Sequence, residues 1–478
     1  MVPLISKRML AVGASALLLS SCAGFQGIGP SVEQKSVTDY AAGSLAGGSG
    51  QWPAAGASWA GTIGGKPLQD LVDAALAGNP GMAIAAARVR ASRALAEAVR
   101  GAAQPAVDAS FDSNYQRFTE NGMIPPPFGG SFESDNRLAL NFSYEFDFWG
   151  RHAAQWRSAL SQEKMAQAEQ HGARLVLTAA VAQAWVQLAR QSAQLDLVER
   201  QQALHRQIER LTQQRIAAGL DTDSDAQQVR LQGAALHGEQ LQWQQAIALA
   251  RNQLAALMGQ GPDRGLRIAR PDLPDLRAFQ LPPQLPLALL GRRPDIVAAR
   301  WQVEAAQGDI DSSRAQFYPN VNLLGFAGFS SLGLSNLLDG GSSIVGIGPA
   351  IRLPIFEGGQ LRARLKGRVA AYDGAVASYN QSLTQALHEV ADQLQSLQAS
   401  ALQLRNQAVA LQAAQQSLQL EQQRWQVGTA NKLQLLAAES RWLSQRKLAL
   451  DLQAHRVELQ VGMMKALGGG FEAARNAL

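Results

Sequence analysis

Residues 138–150 of the chain read LALNFSYEFDFWG. From Leu138 to Phe148 every second residue is leucine, phenylalanine or tyrosine, and the residues between them are mostly polar. Because successive side chains of a strand point to opposite faces, this segment has one apolar face and one polar face. Alternation of this kind over about ten residues is typical of a strand in a membrane β-barrel, which has lipid on one side and water on the other.

Three further segments share this character. Val107–Tyr115 alternates in the same way, whereas Val321–Phe329 and Ile344–Ile355 have a similar length but more glycine and a less regular alternation. A soluble four-stranded sandwich is the alternative interpretation of these segments. We predict four membrane strands, at residues 106–120, 134–148, 320–331 and 342–355.

Four such strands cannot cross a bilayer alone, because the open edges of the sheet would leave unpaired backbone groups in hydrocarbon. Copies of the chain must therefore join to close a barrel. Two copies would give eight strands and a barrel filled by side chains, whereas three copies give twelve strands, which can enclose water. The sequence predicts a homotrimer as the smallest assembly that conducts.

The chain also repeats its own layout. Asn79-Pro80 and Arg293-Pro294 each open a helical stretch at an offset of 214 residues, and the glycines Gly219 and Gly428 lie 209 residues apart. Near-constant offsets at several landmarks indicate an internal duplication. We predict repeats at 68–260 and 292–468, each with a helix, two strands and a long helical hairpin, the hairpins lying at 150–258 and 358–467.

The hairpins have the periodicity of coiled coils. In the first hairpin Leu197, Leu204 and Leu211 recur every seven residues. A comparable seam runs through the second, at Leu394, Leu397, Ala401, Leu404, Ala408, Leu411 and Leu418. An outgoing helix of about 70 residues is roughly 100 Å long, so it needs partner helices outside a compact domain.

The predicted fold is thus a membrane α+β fold built from an internal duplication. Three chains would form a 12-stranded membrane β-barrel, with four strands from each, and their twelve helical rods would continue it as a long, hollow α-helical tube. The proline-rich residues 261–291 are predicted to link the two repeats, and residues 469–478 to form a C-terminal tail.

The first residues predict export. Lys7 and Arg8 precede an apolar stretch that ends at Leu19-Ser20-Ser21-Cys22, which is the layout of a secretory signal peptide. The last four of these residues resemble a bacterial lipobox, although an ordinary signal peptide that happens to end near a cysteine is the alternative. We expect residues 1–21 to be a lipoprotein signal peptide, Cys22 to carry the lipid, and residues 22–67 to be an extended, lipid-anchored segment. By resemblance to bacterial lipoproteins, in which an Asp after the cysteine signals retention in the inner membrane, Ala23 at this position favours the outer membrane of a Gram-negative bacterium.

Composition and motifs argue against several function classes. Cys22 is the only cysteine, so neither an internal disulfide nor a thiolate zinc site is available. The sequence contains no phosphate-binding glycine loop, and His388-Glu389 lacks the second histidine of a zinc-protease helix. The pI near 9.5 comes without a basic stripe interleaved with aromatic residues, which argues against nucleic-acid binding. We expect no enzyme activity, no cofactor and no metal site.

Residues 289–296, LLGRRPDI, resemble a hallmark of the outer membrane factor family, which is TolC-like, and in particular of its NodT- and OprM-type efflux lipoproteins. AQFYP at 315–319 and FEGG at 356–359 add to the resemblance, which covers the chain from Cys22 to about Gly468. It implies a passive trimeric channel for small molecules, such as drugs and toxic compounds. In such a channel a 12-stranded outer-membrane β-barrel is continued by a long periplasmic α-helical barrel. It also implies two partners, a periplasmic adaptor protein and an inner-membrane pump of the RND type.

By the same resemblance, the turns at Gly219 and Gly428 lie at the closed periplasmic tip and contact the adaptor. The gate of the family lies just past the second turn, where its apolar residue matches Leu433. The carboxylate position of that gate matches Ala437, so the sequence departs from the family pattern there.

Three aspartates, Asp221, Asp223 and Asp225, crowd the first turn. Around a trimeric tip their carboxylates would favour cations or recognise a basic adaptor surface, and Asp225 is the one we expect to line the pore. Alternatively, they simply stabilise the start of a helix through its dipole.

Two other functions remain open at this point. A channel for type I protein secretion would be built on the same plan. A periplasmic coiled-coil adaptor or structural lipoprotein would share the long helices, but it has no need of four amphipathic strands.

Overall fold

The computed structural model describes residues 24–36, 39–40, 59–274 and 292–470. The elements follow the chain as α1 (Trp59–Gly78), α2 (Pro80–Ala102), β1 (Ala106–Arg117), β2 (Phe132–Phe146), α3 (Arg151–Ala217), α4 (Asp223–Leu257), α5 (Asp263–Leu266), α6 (Pro294–Ala315), β3 (Asn320–Leu332), β4 (Ser343–Arg352), α7 (Gln360–Gln426) and α8 (Lys432–Ala466). Two 3-10 turns, Leu334–Asn336 and Gly340–Ser342, separate β3 from β4.

The chain divides into two compact units. One unit comprises the described residues of Met1–Gln34, Val89–Ala166 and Ala299–Tyr379, and it contains all four strands. The other comprises those of Lys35–Arg88, Gln167–Ala298 and Asn380–Leu478, and it contains both helical hairpin turns.

The helices repeat in length as well as in order. α3 and α7 have 67 residues each, and α4 and α8 have 35 residues each. At 1.5 Å per residue these helices are about 100 Å and about 50 Å long. Equal lengths at a constant sequence offset are what an internal duplication produces.

The first helix differs from the expectation. α1 begins at Trp59, so the extended chain predicted for 22–67 is wrong for residues from Trp59 onward. Trp59 and Ile63 are buried in a cluster with side chains from α3, α4 and α8, and this long-range burial stabilises a helix that its own sequence disfavours. Gly65, at φ 63°, kinks the helix just before Pro67.

The four strands form a single antiparallel sheet in the order β1-β2-β3-β4. Their bounds lie within three residues of those of the four predicted strands. Within the part of the chain that the structure describes, β1 and β4 each have a partner on one side only, so both outer edges of the sheet are open there.

The strand register aligns apolar residues with apolar residues, and polar residues with polar residues, across the sheet. Val107, on β1, pairs with Phe142 on β2, which in turn pairs with Gly325 and then Ile347 on the next two strands. In the neighbouring row Asp108 pairs with Asn141. One face, here called the apolar face, therefore carries most of the apolar side chains of the four strands, and the opposite face, here called the polar face, carries most of the polar ones.

In the second unit the hairpin helices form a layer in the order α4, α3, α8, α7. Leu197 and Leu204 of α3, predicted as part of a seam, pack against Leu436 and Leu443 of α8. Side-chain amide bonds join the outer pairs, Gln202 Nε2 to Gln240 Oε1 between α3 and α4, and Gln407 Nε2 to Gln445 Oε1 between α7 and α8, each at 3.0 Å. The predicted coiled-coil packing is therefore present, and α4 and α7 lie at the edges of the layer.

Candidate functional site: the sheet faces and the hairpin turns

The apolar face of the sheet is exposed to a degree that an isolated water-soluble sheet would not tolerate. Val107, Tyr115, Val345 and Ile347 are 66%, 75%, 84% and 77% exposed. Monomeric soluble proteins rarely leave apolar patches of this extent uncovered. The arrangement fits contact with lipid hydrocarbon, which requires no hydrogen bonds from these side chains.

Aromatic side chains gather where the sheet meets the helices. Trp149 stacks on Tyr318 at 4.5 Å between ring centroids and donates from Nε1 to the carbonyl oxygen of Pro319 at 2.8 Å. Phe146 lies 5.1 Å from Tyr144 and 5.6 Å from Phe148. Aromatic girdles of this kind mark the membrane–water boundary of barrels, because their rings bury an apolar body while a polar edge stays wet.

The first hairpin turn is a glycine-dependent helix end. Gly219 has φ 68°, a conformation that costs other residues energy, and Leu220 donates its N–H to the carbonyl oxygen of Arg215 at 2.8 Å. This six-to-one bond is that of a Schellman cap. It reverses the chain between α3 and α4 within five residues.

Asp221 is held by the helix that precedes it. Arg215 donates from Nε to Oδ2 and from Nη2 to Oδ1, each at 2.8 Å. These hydrogen bonds lower the pKa of Asp221 below its ordinary value, and they raise the pKa of Arg215. The carboxylate of Asp221 therefore faces its own hairpin.

Asp225 closes the N-terminus of α4. Thr222 donates to Asp225 Oδ2 from its backbone N–H at 2.9 Å and from its hydroxyl at 2.6 Å, and the two residues form a capping box. These bonds lower the pKa of Asp225. This geometry is the one that the helix-start interpretation predicts. Asp223 lies exposed in the same first turn of α4.

The second turn has the same backbone geometry as the first, but it lacks the cluster of aspartates. Gly428 has φ 79°, and Thr429 donates its N–H to the carbonyl oxygen of Arg424 at 2.8 Å. Asn431 and Gln434 form the capping box. Beside it, the ammonium of Lys432 lies 4.2 Å from the ring centroid of Trp425. The second turn is therefore basic and aromatic where the first is acidic.

Leu433 is half-buried, and Ala437, one turn further along α8, is exposed. Residues four apart lie on the same face of a helix, so the two positions face the same way. No carboxylate stands at either position, in keeping with the departure noted in the sequence. Cys22 lies outside the described residues.

No helix in the described part of the chain is long and apolar enough to cross a membrane. Within the same residues, no cluster of three or more His, Cys, Asp or Glu side chains is arranged to hold a metal ion.

Comparison with known families matches the model described as "Outer membrane efflux protein" to residues 71–260 and 285–469. The chain belongs to the outer membrane efflux protein family. The two matched stretches correspond to the two repeats, and the interval between them falls within the proline-rich linker.

Relatives and solved structures agree with this membership. The fusaric acid resistance protein FusA of Burkholderia cepacia is 34% identical over 367 residues, which are 74% of this chain and 68% of that protein. The toluene efflux pump outer membrane protein TtgF of Pseudomonas putida is 31% identical over 406 residues, 85% of this chain and 84% of that protein. The crystal structure of the outer membrane protein VceC from Vibrio cholerae shares 35% identity and superposes with a TM-score of 0.79, covering 88% of this chain and 100% of that one.

The chain is therefore a subunit of an outer-membrane efflux channel, with the fold of the trimeric channels that combine a β-barrel and a long helical barrel. The expectation of efflux, over protein secretion or a periplasmic adaptor, is confirmed. The family and the fold are those of channels, and members of the family work with adaptors and inner-membrane pumps.

Proposed function

We propose that three copies of this chain form the lipid-anchored outer-membrane duct of a tripartite pump. An adaptor protein docks at the two hairpin turns, and an inner-membrane pump of the RND type supplies the energy. The duct itself catalyses no reaction. The observation that carries this proposal is the sheet, whose apolar face is exposed and whose outer strands, β1 and β4, each have a partner on one side only among the described residues.

The open edges support a homotrimer. An unpaired strand edge in hydrocarbon costs several kcal/mol for each unsatisfied backbone group, so β1 of one copy must pair with β4 of the next. Three four-stranded sheets then close a 12-stranded barrel, which is wide enough to hold water.

The helical layer gives a second, independent argument for the trimer. On α7, Leu402, Val409 and Leu420 are 64%, 67% and 60% exposed, and their spacings of seven and eleven residues place them on one stripe. On α4, Leu231 and Leu249 are also exposed and share a face. These stripes lie on the two edge helices, where α4 of one copy would pack against α7 of its neighbour as the sheets close.

The lipid anchor at Cys22 is supported by the segment that follows it. The carbonyl oxygen of Gly24 accepts a hydrogen bond from Arg362, in the first turn of α7, and Phe25 packs edge-on against Phe317 at 5.5 Å. Cys22 itself lies outside the described residues, two positions before Gly24 in the sequence. Acylation of Cys22 would supply membrane affinity, and several acyl chains are expected because one holds only marginally.

We propose that the two turns recognise the adaptor through different chemistry. Asp223 and Asp225 supply negative charge at the first turn, whereas Lys432 and Trp425 supply a cation and an aromatic ring at the second. Asp221 contributes by fixing the turn through Arg215. Leu433 is proposed to narrow the closed pore without an acidic partner at Ala437.

Small organic molecules are the proposed cargo. Two relatives carry fusaric acid and toluene in their names, which supports compounds of this size. Selectivity among them would be set mainly by the pump.

The test combines assembly with export. The chain is expressed with its own adaptor and pump in a strain lacking outer-membrane efflux channels, and resistance to organic toxicants is measured beside heat-modifiable migration of membrane fractions. We expect restored resistance and a trimer that converts to a monomer on boiling. A monomeric, water-soluble mature protein, or a trimer that restores no resistance, would overturn the proposal.

A further inference from the structure

The polar face of the sheet is not uniform. Among the four strands it carries five carboxylates and two guanidiniums, namely Asp108, Asp112, Glu133, Asp135, Glu145, Arg137 and Arg352. Most remaining positions are small or polar. The exceptions near the middle of β3 are Leu324 and Phe326, which are 47% and 38% exposed on a face that would otherwise be wet.

The ring of Phe326 packs against a glycine on the neighbouring strand. Gly346 lies directly opposite on β4, and a Cβ atom there would come within 2.7 Å of two ring carbons of Phe326. The ring therefore lies against the backbone of the neighbouring strand and extends across the sheet. Any other residue at position 346 would displace it.

Arg137 is drawn along the sheet toward this ring. In the register it pairs with Asp112 on β1 and Ser330 on β3, but its guanidinium lies 5.2 Å from the ring centroid of Phe326, four residues along β3 from Ser330. Ala139 and Gly328 are paired between these levels, and Ala139 is only 1% exposed although it lies on an open face. Two residues without long side chains thus leave a floor across which the Arg137 side chain can extend.

The guanidinium keeps its charge available. In the described part of the chain Arg137 forms no ion pair, and its aromatic neighbour supplies a cation–π contact but no negative charge. A guanidinium presents a planar surface for stacking and a fork of N–H donors for a carboxylate. Beside it, Leu324 and the free part of the Phe326 ring offer apolar surface.

We propose that Arg137 and Phe326 form a binding site for planar aromatic carboxylates on the wall of the barrel, one site in each subunit. The ring of the solute stacks on the guanidinium and Phe326, and its carboxylate binds the N–H groups of Arg137. This inference rests on the proposed function, because only closure into a barrel turns the polar face into the wall of a pore.

The setting explains why one such site matters. The other charged side chains on this face are mainly carboxylates, which repel an anion as it passes through the barrel. Arg137 gives an anionic solute a favourable position at mid-barrel. Binding in a conduit must be weak enough to release the solute, and an exposed guanidinium with one aromatic neighbour provides affinity of that order, about millimolar.

The test is ligand-detected saturation-transfer NMR on the full-length trimer in detergent. The ligand can enter the barrel from its open outer end, whether the periplasmic tip is open or closed. Benzoate is compared with cyclohexanecarboxylate, an anion of the same charge and similar size without a flat ring. We expect saturable benzoate binding in the millimolar range and at least fivefold weaker binding of cyclohexanecarboxylate. Phe326→Leu should reduce the affinity for benzoate to that for cyclohexanecarboxylate, and Arg137→Gln should abolish binding of both anions.

Outcomes separate this inference from the channel assignment. If the wild-type chain and both variants migrate as heat-modifiable trimers and benzoate binds all three equally, or binds no better than cyclohexanecarboxylate, the site is refuted and the channel stands. If benzyltrimethylammonium binds more tightly than benzoate, the site selects aromatic cations and the proposal is equally refuted. If no trimer forms even for the wild type, the proposed assembly fails. Asn141→Gln, level with Phe326 on the same face, serves as the matched control and should leave benzoate binding unchanged.

Discussion

Arg293 donates from Nη1 to the carbonyl oxygen of Ala466 at 2.9 Å, and Asn79 makes the corresponding bond to the carbonyl oxygen of Leu257 at 2.8 Å. Asn79 and Arg293 each precede the proline that opens a short helix, α2 or α6. Leu257 and Ala466 are the last residues of the return helices α4 and α8. Both repeats therefore tie the end of a return helix to the start of a short helix, with a different side chain in each.

The second of these joints is the stronger. Arg293, whose side chain is 9% exposed, also binds Asp295 through Nη2 at 2.8 Å and Glu389 of α7 at 2.9 Å. Burial and these carboxylates act on its pKa in opposite directions, and the net effect raises it. One guanidinium thus connects three helices, which gives the RRPD sequence at residues 292–295 a structural role.

Arg293→Ala should destabilise the protein by about 2–3 kcal/mol, because one buried hydrogen bond and two partly exposed ion pairs are lost together. Asn79→Ala removes a single bond and should cost about 1 kcal/mol. The measurement is the midpoint of trimer dissociation on heating, with Arg300→Ala, an exposed position on α6, as control. Equal midpoints for Arg293→Ala and Arg300→Ala would contradict the assigned role.

The turn at Asp221 should depend on pH in a defined direction. Its folded pKa lies below the ordinary value of 3.8, so its contribution to the turn is complete above that value and is lost as the pH falls through the lowered pKa. Amide exchange of Leu220 should accelerate in this acidic range, beyond the intrinsic effect of pH. Asp221→Asn should remove the transition, whereas Asp223→Asn, two residues away, should retain it. A transition that persists in Asp221→Asn would refute the assignment.

Both hairpin turns should depend on their glycines. Gly219→Ala and Gly428→Ala each force a non-glycine residue into the left-handed region, at about 1 kcal/mol, and should distort the turn that the adaptor is proposed to meet. We expect normal trimer levels with a several-fold loss of resistance in the export assay. Gly238→Ala, on α4 with open space around the position, is the control. Full resistance in both turn variants would mean that the adaptor does not depend on these turns.

Local pattern predicted the parts of the fold that depend on local chemistry. Strict alternation from Leu138 to Phe148 identified both faces of β2, and the heptad of Leu197 and Leu204 identified a helix–helix contact. The helix at Trp59 was missed because its support comes from side chains more than a hundred residues away. The ion pair between Arg215 and Asp221 was not predicted, although only six residues and a glycine turn separate the two. By contrast, the seat of Phe326 on Gly346 required the register of β3 with β4.

The orientation of the sheet gives the sharpest test of the membrane assignment. Leu140 and Asn141 are adjacent near the middle of β2, yet they lie on opposite faces, Leu140 paired with Ala109 and Asn141 with Asp108. An arginine on the lipid side near the bilayer midplane costs about 2–4 kcal/mol, whereas one that faces water in the pore costs little. Leu140→Arg should therefore sharply reduce trimer recovered from outer membranes, and Asn141→Arg should leave it near the wild-type level. Membrane fractions are compared by heat-modifiable migration, with total expression measured in the same cells so that synthesis and assembly are separated. The reverse order, or equal recovery of both variants, would show that the apolar face of this sheet does not meet lipid.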